Sequence, residues 1–252
     1  EKYRELLKQG YSFAKINGEL YGISNNNPNF SLAYSYYKMI KEFAPHIQLV
    51  PVKRTGQNLN NENLEMAQHL SATAIRKNIM SEEITSYISK ELLEDIRASK
   101  IPTEEDFFEL LKYKIISLGK DGLKNIYDMR EGLENRIFEA ALSAKNYGEL
   151  VELVITKRYS KKKIQRLLIH VLTNTTRDNY EELFGTKVFR VLAVKSEKSG
   201  LIREINKEEK ITLVSVLNSS NSMYFAQDIK VARIYNLIAG KPDIFREKIE
   251  LV

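Results

Sequence analysis

The chain has 252 residues, of which 43% are hydrophobic and 29% charged, with a formal net charge of +6 and no cysteine. It is long enough for one large domain or two to three small ones, and its composition is that of an ordinary globular protein. The missing cysteine excludes disulfides, thiol catalysis and cysteine-ligated metal, and the three scattered histidines, His46, His69 and His170, argue against a multi-histidine zinc site.

Taken in chain order, residues 1–18 read as an amphipathic helix with a break near Gly10. Asn27 can cap and Pro28 suits a first helical position, so a helix is predicted from Pro28 to Phe43, stopped by Pro45. Ile47-Gln48-Leu49-Val50-Pro51-Val52 is a strand candidate, with Pro51 placing it at an edge. After an Asn-rich loop comes Ser71-Ala72-Thr73-Ala74-Ile75-Arg76. A helix opening here would offer unpaired N–H groups, two hydroxyls and a guanidinium to an anion such as a nucleotide triphosphate. The plainer alternative is a serine cap with Arg76 in solvent.

From Ser81 to about Gly185 the pattern is helical. Ser81 is expected to cap a helix carrying Ile84, Tyr87, Ile88, Leu92 and Ile96, and Thr103 with Asp106 resembles a capping box. Further helices are expected over 133–145, 147–155 and 161–176. Strand-like runs then occupy 187–194 and 211–217, with helices over 200–207 and 226–238.

Charge is unevenly distributed. Residues 151–180 hold seven cations against Glu152 and Asp178, a net of +5. At about 100° per residue, Ile164, Leu167, Leu168, Val171 and Leu172 fall on one helix face, and Lys162, Lys163, Arg166 and His170 on the other. Such a strip would bind phosphates without reading sequence, although an ordinary solvated face has the same pattern. Tyr159, in the turn before it, suits base stacking or, more often, covering the bundle end.

Several blocks occur together in the order of one family: Pro28-Asn29 with Tyr34 and Tyr36, Val52-Lys53-Arg54, the 71–76 block, and Leu111-Lys112-Tyr113-Lys114. Glu131-Gly132-Leu133-Glu134-Asn135-Arg136, Thr156-Lys157-Arg158-Tyr159-Ser160 and Gln165-Arg166-Leu167-Leu168-Ile169-His170 continue the series. Over essentially its full length, more weakly after Gly185, the chain resembles the bacterial tRNA(Met) cytidine acetate ligases of the HIGH-type nucleotidyltransferase superfamily.

That resemblance implies ATP-dependent acetylation of the wobble cytidine of elongator methionine tRNA, using acetate and passing through acetyl-adenylate. It implies ATP contacts at Asn29, Arg54, Ser71, Thr73 and Arg76, with Mg²⁺ expected only as the usual companion of ATP. Lys157, Arg158, Lys162, Lys163, Arg166 and His170 would face the tRNA. The implied fold is an α/β nucleotidyltransferase-like core remnant over residues 1–80, an all-α helical domain over 81–185 and a small α/β unit over 186–252. With no secretory leader pattern and no apolar run of membrane-spanning length, a cytoplasmic protein with no membrane partner is expected.

The chain departs from the family pattern in three places. The family begins with a strand and a loop carrying His-x-Gly-His, which this chain lacks. An N-terminally truncated member is therefore expected, inactive alone and with its catalytic residues in the preceding segment: either that segment belongs to the full-length protein, or the fragment exposes apolar surface and is prone to self-association. Phe30 stands where the family has a second Asn, and the loop Thr55-Gly56-Gln57-Asn58-Leu59-Asn60 lacks the family's His. Two other readings compete: a non-catalytic RNA-binding fragment or diverged interaction protein, and a nucleotidyltransferase acting on a small metabolite.

Overall fold

The structure is a computed structural model and describes residues 2–11, 13–21, 28–52, 55–57, 61–64, 69–208, 210–241 and 250–251. Its chain divides into two compact units, residues 1–101 and 102–252.

The first unit is helical among its described residues. Helices α1 (Lys2–Lys8) and α2 (Phe13–Tyr21) are separated at Gly10, whose φ of 76° is the left-handed conformation glycine adopts without a Cβ penalty. Helix α3 (Pro28–Phe43) has the bounds read from its Pro28 start. The short α4 (Ala72–Lys77) follows the Ser71 cap. Ser81 caps a single 3₁₀ turn, Glu82–Ser86, and Ser89 then caps a separate helix, α5 (Lys90–Ala98). The one helix expected after Ser81 is thus two segments, because Ser89 accepts a hydrogen bond from the Leu92 N–H and starts a new helix. Leu70, Ile84 and Leu93 form a small buried cluster, with Leu64, Ile75, Ile79 and Ile88 packed against it. This cluster joins α4 to the segment that follows it.

The strand expected over Ile47–Val52 does not form. The run has no regular secondary structure, and Val50 and Val52 are 71% and 89% exposed. Its β-branched composition suits a strand, but a strand exists only by pairing, and no described residue of this unit pairs with it.

The second unit is built on a helical bundle. Thr103 donates from both its N–H and its hydroxyl to Asp106, each at 2.7 Å, and the chain enters α6 (Phe108–Lys124). Helices α7 (Leu133–Ser143), α8 (Tyr147–Val154) and α9 (Lys161–Leu172) follow. Their core includes Phe108, Leu111, Ile115, Leu123, Ile137, Leu150, Val154, Ile164, Leu167, Leu168 and Val171, all buried. Fully burying one such side chain stabilises by about 1.5–3 kcal/mol.

Helix α10 (Arg177–Gly185) leads into a small α/β region. Strand β1 (Val188–Arg190) is followed by β2 (Ala193–Val194), α11 (Gly200–Lys207) and β3 (Thr212–Val214). Strands β1 and β3 pair in parallel, with Val188 opposite Thr212, as a crossover through α11 allows. The run expected as one strand over 187–194 is two, and β2 pairs in parallel with β4 (Glu250–Leu251) in a separate sheet. Helix α12 (Ala226–Ala239) ends at Gly240 in the left-handed conformation. Gln227 and Lys230 of α12 donate to the Thr175 hydroxyl and the Thr173 carbonyl beyond the end of α9.

Leu167→Ala removes a fully buried side chain from the centre of this core. We expect a loss of about 2–5 kcal/mol in urea denaturation. A loss under about 1 kcal/mol would contradict the packing of α9 described here.

Candidate functional site

The residues expected to act fall in both units. In the first unit, Ser71 is fully buried and every polar atom it offers is occupied. Its hydroxyl accepts from the Ala74 N–H at 2.9 Å and donates to the Asn61 carbonyl at 2.5 Å. Its N–H donates to Gln57 Oε1 at 3.0 Å, while Gln57 Nε2 donates to the Asn63 carbonyl. Gln57 is itself buried, and its N–H donates to the His69 carbonyl at 3.2 Å. Gly56 makes that approach possible: its φ is 86°, and a Cβ there would lie 2.7 Å from the His69 carbonyl oxygen. Asn78 donates to the Glu62 carbonyl, and Lys77 pairs with the Glu62 carboxylate.

Ser71 is therefore the cap and anchor of α4, and its single hydroxyl proton is already donated within the fold. Thr73 and Arg76, three residues apart, share a face of that helix. Thr73 is half-buried, and Arg76 is exposed with no partner among the described residues. Arg54 and the side chain of Asn29 lie outside the described residues. Periodicity gave no signal for Gln57. The neighbouring Gly56, which permits a close backbone approach, is the one sequence feature that could have drawn attention to it.

In the second unit, α9 buries Ile164, Leu167, Leu168 and Val171 and turns Lys162 and Arg166 outward. Lys163, Arg166 and His170 follow one another along an adjacent stripe. Lys163 is not a free cation: its Nζ lies 2.5 Å from Asp128 Oδ2, with about a quarter of each side chain exposed. Asp128 reaches it from a loop residue with φ 63°, and Arg130 lies 3.8 Å from the other carboxylate oxygen. No helical or strand pattern marks an isolated aspartate in a loop, so the pairing was not legible in the sequence.

Lys157 and Arg158 are exposed in the turn before α9. That turn is closed by reciprocal backbone hydrogen bonds between Thr156 and Tyr159. Tyr159 packs on the bundle core, and the Arg158 guanidinium lies 5.6 Å from its ring centroid. Tyr159 thus covers the bundle end. The Glu131–Arg136 block supports the same turn: Arg136 donates to the carbonyls of Leu153 and Ile155 at the end of α8.

His170 differs from the other members of the strip. Its ring lies 5.3 Å from Tyr127 and 6.4 Å from Tyr180, edge-on to both. Burial holds its pKa below the ordinary imidazole value of 6.5; Asp128 opposes this, while Arg166 and Lys163 add to it. At neutral pH the strip's charge therefore comes from its lysines and arginines. Among the described residues, no group of three or more His, Asp or Glu side chains is placed to hold a metal ion.

Two expectations follow from this geometry. Ser71→Ala removes a buried cap and leaves the Ala74 N–H unpaired, so unfolding measurements should show a loss of about 1–2 kcal/mol. An unaltered stability would contradict the anchoring role. For His170, the unfolded chain takes up a proton before the folded one. Stability should therefore fall as pH drops from about 6.5 to the lowered folded value, and level off below it. Melts between about pH 8 and pH 5 should lose this component in His170→Phe, and an identical pH dependence in that variant would contradict it.

The description of the HIGH nucleotidyl transferase family matches residues 1–248. The chain is 31% identical over 252 residues to the tRNA(Met) cytidine acetate ligase of Staphylococcus saprophyticus, covering 95% of this chain and 64% of that protein. It is 30% identical over 245 residues to the protein of the same name from Staphylococcus aureus strain JH9, covering 96% and 64%. The chain thus spans 64% of the length of these curated relatives. Its fold is similar to the crystal structure of apo Thermotoga maritima TmcAL, with a TM-score of 0.78 at 19% identity over 99% of this chain and 70% of that one. The crystal structure of the same protein bound with alpha-thio ATP gives a TM-score of 0.75 at 19% identity, over 99% and 69%.

Proposed function

The chain belongs to the HIGH nucleotidyltransferase family, and from that premise we propose that it serves in an ATP-dependent tRNA cytidine acetate ligase. The observation that carries the tRNA half of this reading is the outward cationic face of α9, in a chain similar to proteins named for that activity. In the proposed reaction a carboxylate oxygen of acetate attacks the α-phosphorus of ATP, forming acetyl-adenylate and releasing pyrophosphate. The exocyclic amine of the wobble cytidine of elongator methionine tRNA then attacks the acetyl carbonyl, and AMP leaves. Neither step calls for a protein nucleophile, which suits a chain without cysteine.

In this reading Arg76 stabilises the negative charge of the phosphates in flight. Thr73 adds a hydroxyl from the same helix face, and Ser71 fixes the helix that carries both. Asn29 and Arg54 contact the nucleotide by family resemblance, and Mg²⁺ arrives with the ATP. Lys157, Arg158, Lys162 and Arg166 take tRNA phosphates, while Lys163 and His170 shape the surface beside them. Residues 1–80 supply the C-terminal part of the nucleotidyltransferase core, 81–185 the helical tRNA-facing part and 186–252 a small α/β unit. The setting is the cytoplasm; among the described residues no helix is long and apolar enough to cross a membrane.

The alternative of an RNA-binding protein without catalysis rests on the same face of α9 and separates from the first reading by activity. The test is transfer of radiolabelled acetate to a methionine tRNA transcript with ATP, using the protein that carries this chain. We expect acetylated cytidine with the native residues and a loss of at least about tenfold in Arg76→Ala, the scale of one charge-assisted contact. Normal transfer by Arg76→Ala would remove Arg76 from the phosphate site. Salt-sensitive tRNA binding with no transfer would favour the non-catalytic alternative.

A further inference from the structure

Beside the cationic stripe of α9, two loops are tied together. Ile126 and Thr176 form an antiparallel bridge, the Tyr127 N–H donates to the Thr175 carbonyl at 2.9 Å, and the Arg177 N–H donates to the Asn125 carbonyl at 3.2 Å. The Arg177 guanidinium also donates to the Met129 carbonyl at 2.9 Å. These bonds hold Tyr127 against Tyr180 of α10. The two rings are parallel within 16° and their centroids are 3.5 Å apart.

The third ring does not cap this stack. With separations of 3.5, 5.3 and 6.4 Å among the three centroids, His170 lies close to a right angle from the stacking axis, beside the rim of Tyr127. Both outer faces of the tyrosine pair are thus left uncovered by His170. All three rings are half-buried and none belongs to the bundle core. Charge surrounds them: Lys163, Arg166 and Asp128 act on His170, and Arg130 and Arg177 are exposed on the adjoining loop and helix.

We propose that the Tyr127–Tyr180 pair is a stacking platform for an unpaired base of the bound RNA, with Arg166 and Arg130 taking the flanking phosphates. The proposal rests on the RNA-binding reading of α9 and adds a contact of a different chemistry. Aromatic faces stack any base, whereas a cationic strip alone holds only the backbone. Duplex RNA keeps its bases paired and offers no base to such a platform, so the contact selects a loop, bulge or end.

The two contributions separate in a salt titration. Removing a phosphate contact lowers both affinity and the salt slope, whereas removing a stacking contact lowers affinity alone. Methionine tRNA binding is measured by fluorescence anisotropy at several salt concentrations for the native chain, Tyr180→Phe, Tyr180→Leu and Tyr127→Leu. Tyr180→Phe is expected to bind as the native chain does. Each leucine variant should lose roughly five- to hundredfold in affinity with an unchanged salt slope, and a fully paired RNA duplex should not distinguish the variants. Native-like tRNA affinity in both leucine variants overturns the platform while the RNA reading stands. No tRNA affinity in the native chain overturns that reading and the platform with it.

A second measurement needs no substitution. 2-Aminopurine is placed at each unpaired position of the tRNA in turn. Quenching at one position on binding the native chain supports stacking, and quenching at none overturns it.

Discussion

The buried face of α9 is the constraint from which the second unit follows. Ile164, Leu167, Leu168 and Val171 lock into the core shared with α6, α7 and α8. A helix that commits one face to a core must present the opposite face to solvent, and here that face carries Lys162 and Arg166. The position of the charge is therefore set by hydrophobic packing and needs no contact of its own. The bundle also fixes what lies at its edges. Arg136 closes the end of α8 and so supports the Lys157–Arg158 turn, and the Ile126–Thr176 bridge brings Asp128 and Tyr127 beside the stripe.

The first unit relies on a different principle. Its small apolar cluster at Leu70, Ile84 and Leu93 is accompanied by a buried polar network in which Ser71 and Gln57 satisfy one another and the carbonyls of Asn61, Asn63 and His69. A fully partnered network of this kind specifies one loop geometry, because each broken bond would leave a buried polar group unpaired. The result fixes the start of α4 and, with it, the face that carries Thr73 and Arg76.

Much of this was legible in the sequence where periodicity or capping chemistry spoke. The bounds of α3, the start and apolar face of α9 and the Gly240 terminus all come from local rules. Four features were not. The Ile47–Val52 run has strand composition, but composition does not supply a pairing partner. Ser71 can be an anion donor or, more plainly, a cap, and only its hydrogen bonds to Asn61 and Ala74 separate the two. Lys163 counts as one more cation until Asp128 is found beside it, from a position remote in sequence and held in a left-handed conformation. His170 is similar: its place on the stripe is a matter of spacing, while the lowering of its pKa comes from burial.

If packing of α9 places a phosphate-binding surface on its outer face, binding must weaken with salt according to the number of cations engaged there. The slope of log affinity for methionine tRNA against log salt should be clearly negative. Replacing Lys162 and Arg166 together with glutamine should make it shallower by roughly 2, at about one unit per phosphate contact. A native slope near zero, or one that the double substitution leaves unaltered, would mean that α9 presents an ordinary solvated face and that RNA, if bound, is held elsewhere.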